Sequence, residues 1–350
     1  MQYTTLGRTG VVVSRLVLGT MTFGVGAPST RGFTYTIDQE QANQIVSQAL
    51  DAGINFFDTA DAYAQGRSEE LLGHALGTRR SEVILATKVG ARVSSQLHDT
   101  GLSARHIIAA VEASLKRLKT DSIDLLQLHR PDALTPFEET AQAFDDLIRR
   151  GLVRYIGYSN LSAWQAAKAL AIQQAQHFAH FVSAQMHYSL LGRDIEYEII
   201  PFLQDAGLGL LVWSPLAGGF LTGKYTRENP TGSNGRLASF DVLNIDREQG
   251  YQVNDLLRKI AGAHGEATPA QVALAWLLSK PYVTSVIVGV SKPQQFADNV
   301  AAATLVLAEE ELEALDALTT PKPLYPYSML TRSTDPQIQQ ALQRPSAATP

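Results

Sequence analysis

The sequence predicts a closed barrel of eight parallel strands ringed by helices, and three observations carry that prediction. Short apolar runs alternate with longer amphipathic segments from about residue 15 to residue 300, with no Pro/Gly-rich linker between them. The runs number eight, each rich in branched or aromatic residues, as strands buried on both faces must be. Polar residues gather at the same end of these runs, as they do where loops converge on one rim of a barrel.

In order, the runs are RLVLGT, INFFDTA, EVILATK, SIDLLQLH, LVRYIGYS, HFVSAQ, LGLLVWS and VTSVIVG. Helical patterns separate them. After Asp38, Ile45, Val46, Ala49 and Leu50 share one face and Gly53 follows the end. After Ser68, Leu71, Leu72, Ala75 and Leu76 do the same before Gly77, and Ser103 caps a third pattern built on Ile107, Ile108, Val111, Leu115 and Leu118. TPAQ at 268–271 supplies a capping box with Pro at the first helical position. Strict alternation of strand and helix implies right-handed crossovers in a parallel sheet. Eight such units in under 300 residues fit a (β/α)8 TIM barrel, typically about 250 residues long.

The rival is a doubly wound open sheet. It is disfavoured because no G-x-G-x-x-G follows a strand: GTMTFGVGAPS has Ser29 where the third glycine would stand. MQYTTLGRTGVVVS, ahead of the first barrel strand, reads as a hairpin turning at Gly7 to Gly10 that plugs the barrel bottom. The whole chain, 1–350, is expected to form one domain, with its barrel over about 15–303 and a C-terminal helix and Pro-rich tail over 304–350.

Composition narrows the function. With 34 acidic against 29 basic residues the chain offers no electrostatic footprint for nucleic acid or an anionic membrane. Lacking cysteine, it can have no disulfide, thiolate zinc site or cysteine nucleophile. The N-terminus lacks the pattern of a signal peptide and no run reaches the ~18 apolar residues of a membrane helix. A cytoplasmic location is expected, with no metal, and with a homo-oligomer left open.

GGFLTGKY, Gly218 to Tyr225, nearly matches a triphosphate loop. Tyr225 stands where that loop needs a magnesium-binding hydroxyl, so the stretch by itself leaves open a kinase-like cradle or a phosphate site of another kind. The chemistry gathers at the strand ends: Asp58, Lys88 and His129 close three successive strands, Ser159 and Asn160 the next, then Gln185, then Trp213 with Ser214. An Asp beside a Lys could simply be a buried ion pair. Tyr63, five residues past Asp58, changes the reading because it can fold back over the rim. A phenol of pKa ~10 is a poor acid at neutral pH, but a neighbouring ammonium favours the phenolate and makes the group a usable proton donor.

With these motifs in view, the sequence resembles the aldo-keto reductases over about residues 3 to 303. The resemblance rests on DTADAY followed by GRSEELLG, then LATK, LLQLHRPD, IGYSN, SAQMHYSLL and WSPLAGGFLTGKY, in that order. It implies an oxidoreductase that binds NADP(H) without a Rossmann fold and interconverts carbonyls and alcohols. Asp58, Tyr63, Lys88 and His129 would form its catalytic tetrad, with Tyr63 as proton donor and His129 polarising the carbonyl. Ser159, Asn160 and Gln185 would hold the nicotinamide carboxamide and Trp213 would stack on its ring. Gly218 and Gly219 would close over the pyrophosphate, with Ser214, Leu216, Leu221 and Lys224 around them. Further cofactor contacts are implied for Gly19, Thr20 and Met21, for Asp58 itself, and for Gly289. In VGVSKPQQFADN, Ser291 and Lys292 would approach the 2′-phosphate and Gln295 and Asn299 the adenine. Many relatives carry an Arg in this loop; here Lys292 offers a point charge in place of a bidentate fork.

Two other readings compete: a regulatory barrel like the potassium-channel β subunits that binds NADPH chiefly as a sensor, and a barrel hydrolase using Asp58 and His129. Substrate choice is expected to lie in loops 25–36, 91–102 and 216–250 and in the tail. HFAH, His177 to His180, and the acidic run EEELEAL at 309–315 read as surface features.

Overall fold

The computed structural model describes residues 1–27, 35–230, 237, 243–265, 267–290, 292, 294–330, 335, 337, 338 and 341. The chain falls into two compact units, Met1–Thr319 and Thr320–Pro350.

The first unit holds a closed barrel of eight parallel strands. They are β3 (Leu16–Gly19), β4 (Phe56–Asp58), β5 (Ile84–Val89), β6 (Ile123–Leu128), β7 (Val153–Ser159), β8 (Phe181–His187), β9 (Gly209–Trp213) and β10 (Val283–Val288), and β10 closes back on β3. All eight apolar runs became these strands. Almost every residue in them is buried, which is the reason their sequences show no alternation.

Ahead of the barrel, β1 (Tyr3–Thr5) pairs antiparallel with β2 (Val12–Ser14) in the expected hairpin. Its plugging role is visible in the packing: Leu6 and Val13 are buried with Val17, Phe56, Ala86, Leu125, Leu211 and Ile287 in a small cluster separate from the main core. Arg8 donates its backbone N–H to Gly207 O at 3.1 Å, tying the turn to the N-terminal end of β9.

The outer helices are α1 (Gln39–Asp51), α2 (Arg67–Leu76), α3 (Ala104–Leu118), α4 (Phe137–Arg149), α5 (Ala163–Ala175), α6 (Ile199–Ala206), α7 (Arg247–Ala263), α8 (Pro269–Ser279), α9 (Gln294–Ala301) and α10 (Glu309–Thr319). Capping boxes at Asp38/Gln41 and Thr268/Gln271 and the cap at Ser103 start α1, α8 and α3. Ser68 does not cap α2, which begins at Arg67 after Gly66. Its hydroxyl is buried and donates to Thr20 O at 2.8 Å, so a polar residue that reads as a cap is consumed in fastening α2 to the end of β3.

In α10, Leu315 is buried, and Asp316 takes bonds from Arg193, Trp276 and Lys280, anchoring the helix on the barrel. The second unit includes the short helix α11 (Tyr327–Leu330). Among the described residues no helix is long and apolar enough to cross a membrane.

Candidate active site

The ends of β4, β5 and β6 bring Asp58, Lys88 and His129 together. Lys88 Nζ lies 2.6 Å from Asp58 Oδ2, 2.9 Å from Thr59 O and 3.2 Å from Tyr63 Oη. Those three acceptors use all three ammonium protons. Asp58 Oδ1 in turn accepts from Gln127 Nε2 at 3.0 Å and Gln185 Nε2 at 2.8 Å. Each charge is therefore matched, which a buried pair requires. Burial alone would push the Lys88 ammonium down, but the Asp58 carboxylate, together with the contacts and hydrogen bonds to Asp58 and Tyr63, outweighs it and holds the group above its usual value. Lys88 stays a cation beside a phenol.

Tyr63 reaches this pair from a single 3-10 turn, Tyr63–Gly66, that doubles back after β4. Its oxygen accepts from Lys88, so the phenol stands directly against a cation. The His129 ring stands edge-on to the Tyr63 ring, 5.8 Å between centroids. Burial first, then the Lys88 and Arg130 charges, lower the His129 pKa to about 3, so the imidazole is neutral at any physiological pH. Its Nδ1 is buried with no hydrogen-bond partner. A buried N–H without an acceptor is costlier than a buried lone pair, which places the ring proton on Nε2.

Around the rim, Ser159, Asn160, Gln185 and Trp213 form one connected set. Ser159 Oγ donates to Gln185 O at 2.7 Å, Asn160 Nδ2 donates to Ser159 Oγ at 2.9 Å and to His129 O at 3.0 Å, and Trp213 Nε1 donates to Asn160 Oδ1 at 3.2 Å. The Gln185 amide nitrogen is committed inward to Asp58 and to Gln127 Oε1.

After β9 comes the Gly-rich turn. Gly218 and Gly219 have φ of 66° and 91°, a left-handed pair that a side chain would strain. Gly218 N–H donates to Ser214 Oγ at 3.0 Å and Gly219 N–H to Leu216 O at 2.9 Å, so an anion held by these amides must displace those partners. Leu221 and Tyr225 are fully buried. Tyr225 stacks on Phe220, centroids 5.2 Å apart, and accepts from Leu237 N, which accounts for an aromatic where a triphosphate loop has a hydroxyl. Lys224 is exposed, its ammonium over the Tyr225 ring.

On the β3 side Gly19 pairs in register with Asp58. Thr20 is fully buried, its hydroxyl 2.8 Å from Ser68 Oγ, while Met21 is part exposed. Past β10, Gly289, Lys292 and Gln295 are exposed and Asn299 is buried. Ser291 lies outside the described residues, as do parts of the expected substrate loops.

Gln127 and Thr59 are the residues that the sequence reading missed. Gln127 lies on β6 two positions before His129, which directly follows the strand, so the two-residue spacing was the available signal. The Thr59 contact is made by a backbone carbonyl and has no residue-type signature. Among the described residues no group of three or more His, Asp or Glu could hold a metal ion, and His177 and His180 are surface residues.

Residues 15–320 match the Aldo/keto reductase family. The chain belongs to that family. It is 40% identical over 327 residues to the uncharacterized oxidoreductase YrpG of Bacillus subtilis (strain 168), covering 90% of this chain and 95% of that protein. It is 38% identical over 338 residues to a probable voltage-gated potassium channel subunit beta of Oryza sativa subsp. japonica, covering 92% and 98%. With the versiconal hemiacetal acetate reductase of Aspergillus parasiticus it shares 35% over 349 residues, covering 93% and 99%. Family membership and the buried Asp58–Lys88 pair beside Tyr63 make it an oxidoreductase of the aldo-keto reductase type.

Proposed function

We propose that this aldo-keto reductase interconverts aldehydes or ketones and alcohols with NADP(H), with Asp58, Tyr63, Lys88 and His129 as its catalytic tetrad. The observation that carries the reading is the Lys88 ammonium, 2.6 Å from Asp58 and 3.2 Å from Tyr63 Oη, at the mouth of the barrel. The rim fits the cofactor: a part-exposed Trp213 fixed through Asn160 offers a flat face for a nicotinamide ring, and the left-handed Gly218–Gly219 turn offers backbone to a pyrophosphate. Bound NADPH would supply a hydride to the carbonyl carbon.

The chain's own groups then manage the oxygen. His129, neutral with its proton on Nε2, donates a hydrogen bond to the carbonyl oxygen and polarises it. Tyr63 passes its hydroxyl proton to that oxygen as negative charge develops there, and the Lys88 ammonium stabilises the phenolate that remains until water reprotonates it. Asp58, fixed by Gln127 and Gln185, keeps Lys88 aimed. In alcohol oxidation the same groups act in reverse, with Tyr63 as base. Ser159, Asn160 and Gln185 would orient the carboxamide, and exposed Lys292 would meet the 2′-phosphate that distinguishes NADPH from NADH.

Spectrophotometric screening of NADPH oxidation over aldehydes, ketones and sugars, with the reverse reaction over alcohols, tests this. Steady turnover with at least one carbonyl class is expected, and tight NADPH binding without turnover in either direction would remove the catalytic reading. The relatedness to channel β subunits keeps one second reading, a cofactor-sensing regulatory barrel, and that last outcome would favour it.

A further inference from the structure

The turn that carries Tyr63 is held in a costly shape. Directly after Tyr63, Ala64 and Gln65 have φ of 49° and 55°, and Gly66 follows at 90°. Side chains in the left-handed region cost roughly 1–2 kcal/mol each, so two consecutive non-glycine residues stay there only if the surroundings oblige them.

One wall of the turn is an ion pair that the tetrad does not use. Glu69, fully buried in the first turn of α2, accepts from Thr87 Oγ1 at 2.6 Å, Ser114 Oγ at 3.1 Å and Arg117 Nε at 2.7 Å. Arg117 Nη2 also donates to Ser114 Oγ at 3.0 Å. The Arg117 side chain lies flat against Gly66: a Cβ there would fall 2.8 Å from Arg117 Cδ and Nε. Thr87, next to Lys88 on β5, ties the same carboxylate to the strand that presents the ammonium. Asp61, also buried, adds a second carboxyl group near the pair, and burial followed by the Glu69 charge holds its pKa well above the carboxylate range.

We infer that Glu69 and Arg117 are positioning residues for the proton donor: their ion pair, braced on Thr87 and Ser114, clamps Gly66 and keeps the left-handed turn closed so that Tyr63 Oη stays in hydrogen-bond reach of Lys88. The inference rests on Tyr63 being the donor. Opening the clamp lets Ala64 and Gln65 relax and carries the phenol away from the ammonium. Tyr63 then loses the charge that favours its phenolate, so its pKa rises.

The test uses Glu69→Gln/Arg117→Met, which removes both charges together and avoids stranding either. In the folded variant kcat should fall by about 10- to 100-fold, the size expected of a misplaced catalytic group, with little change in NADPH Kd. The alkaline limb of the carbonyl-reduction pH profile should move to higher pH. Adding Gln65→Gly, which lowers the cost of the left-handed turn at an exposed position, should restore most of the lost kcat relative to Gln65→Gly alone. A merely structural pair would show neither the pH shift nor the rescue. An unchanged kcat, a limb that stays in place, or a loss that Gln65→Gly leaves uncorrected overturns the inference. If the double variant does not fold, Arg117→Lys, which keeps a cation but lacks the Nε–H that Glu69 accepts, is judged by the same outcomes. Tyr63→Phe runs alongside: turnover retained there removes the donor reading itself and this inference with it, whereas a dead Tyr63→Phe beside a fully active clamp variant sinks the clamp alone.

Discussion

Two arcs of one barrel rim differ in how their polar groups are matched. From β4 to β8, Asp58, Lys88, Gln127 and Gln185 are buried and bonded to one another, and Tyr63 and His129 stand against them. From β9 around to β10, the Gly218–Gly219 turn satisfies its amides locally, while Lys224, Gly289, Lys292 and Gln295 face solvent. The first arc is built before any ligand arrives, as electrostatic preorganisation requires. The second is exposed and its Gly218 and Gly219 amides are bonded within the turn itself, which suits a segment that must admit and release a large cofactor.

The largest expected effect separates the two arcs directly. Tyr63→Phe deletes the donor without touching the Gly-rich turn, so kcat should drop by at least ~10², within the 10²–10⁴ typical of a general acid. NADPH affinity, read by quenching of protein fluorescence, should hardly move. A variant that kept most of its turnover would take Tyr63 out of the mechanism, and one that lost cofactor binding as well would show that the arcs are not separable.

The same contrast explains what was legible in the sequence. Asp58, Lys88 and His129 could be read because each ends an apolar strand, and a strand end in a parallel barrel fixes where a side chain points. Tyr63 was reachable only through its distance from Asp58, since the left-handed turn that brings it back has no composition signal beyond Gly66. Gln127 was passed over because a polar residue inside an apolar strand reads as an exception until its partner, Asp58 of a strand two places away, is known. Such pairing is a tertiary fact. Ser68 failed as a cap for the same reason: its hydroxyl serves Thr20, just past β3, and Thr59, and no local rule anticipates a partner 48 residues away.

A smaller effect is expected on the open arc. If Lys292 meets the 2′-phosphate, Lys292→Ala should weaken NADPH and leave NADH as it was. A charge-assisted bond is worth ~1.5–3 kcal/mol, and an exposed lysine should sit at the low end, about a 10-fold rise in NADPH Kd. Raising the salt concentration should narrow the NADPH preference of the unmutated protein in the same direction. Equal weakening of both nucleotides would give Lys292 a structural role, and a native preference for NADH would withdraw the 2′-phosphate assignment.

The smallest effect concerns what the closed arc costs the fold in acid. Burial, with lesser help from neighbouring charges, lowers His129 to a pKa of about 3; burial likewise takes His187, whose ring leans on Trp213 with centroids 5.0 Å apart, down to about 4. Once unfolded, both titrate near 6.5. Their contribution to stability is therefore complete above pH 6.5 and is lost as pH falls from there towards 4 and 3, because the unfolded chain takes up protons that the folded chain refuses. Each can contribute at most about 1.4 kcal/mol per pH unit in that window, and less in proportion to the exposure of these part-buried rings. Asp61 works in the opposite sense: its raised pKa lets the folded chain bind a proton before the unfolded one does, which offsets part of the loss. Urea unfolding between pH 8 and pH 4 should thus show stability falling below pH 6.5. Asp61→Asn should raise stability at pH 7, where burying a carboxyl group is costly, and steepen the acid slope. His187→Gln should flatten it. A flat profile through this window would mean that neither imidazole is held neutral by the fold, and the proton placed on His129 Nε2 would lose its support.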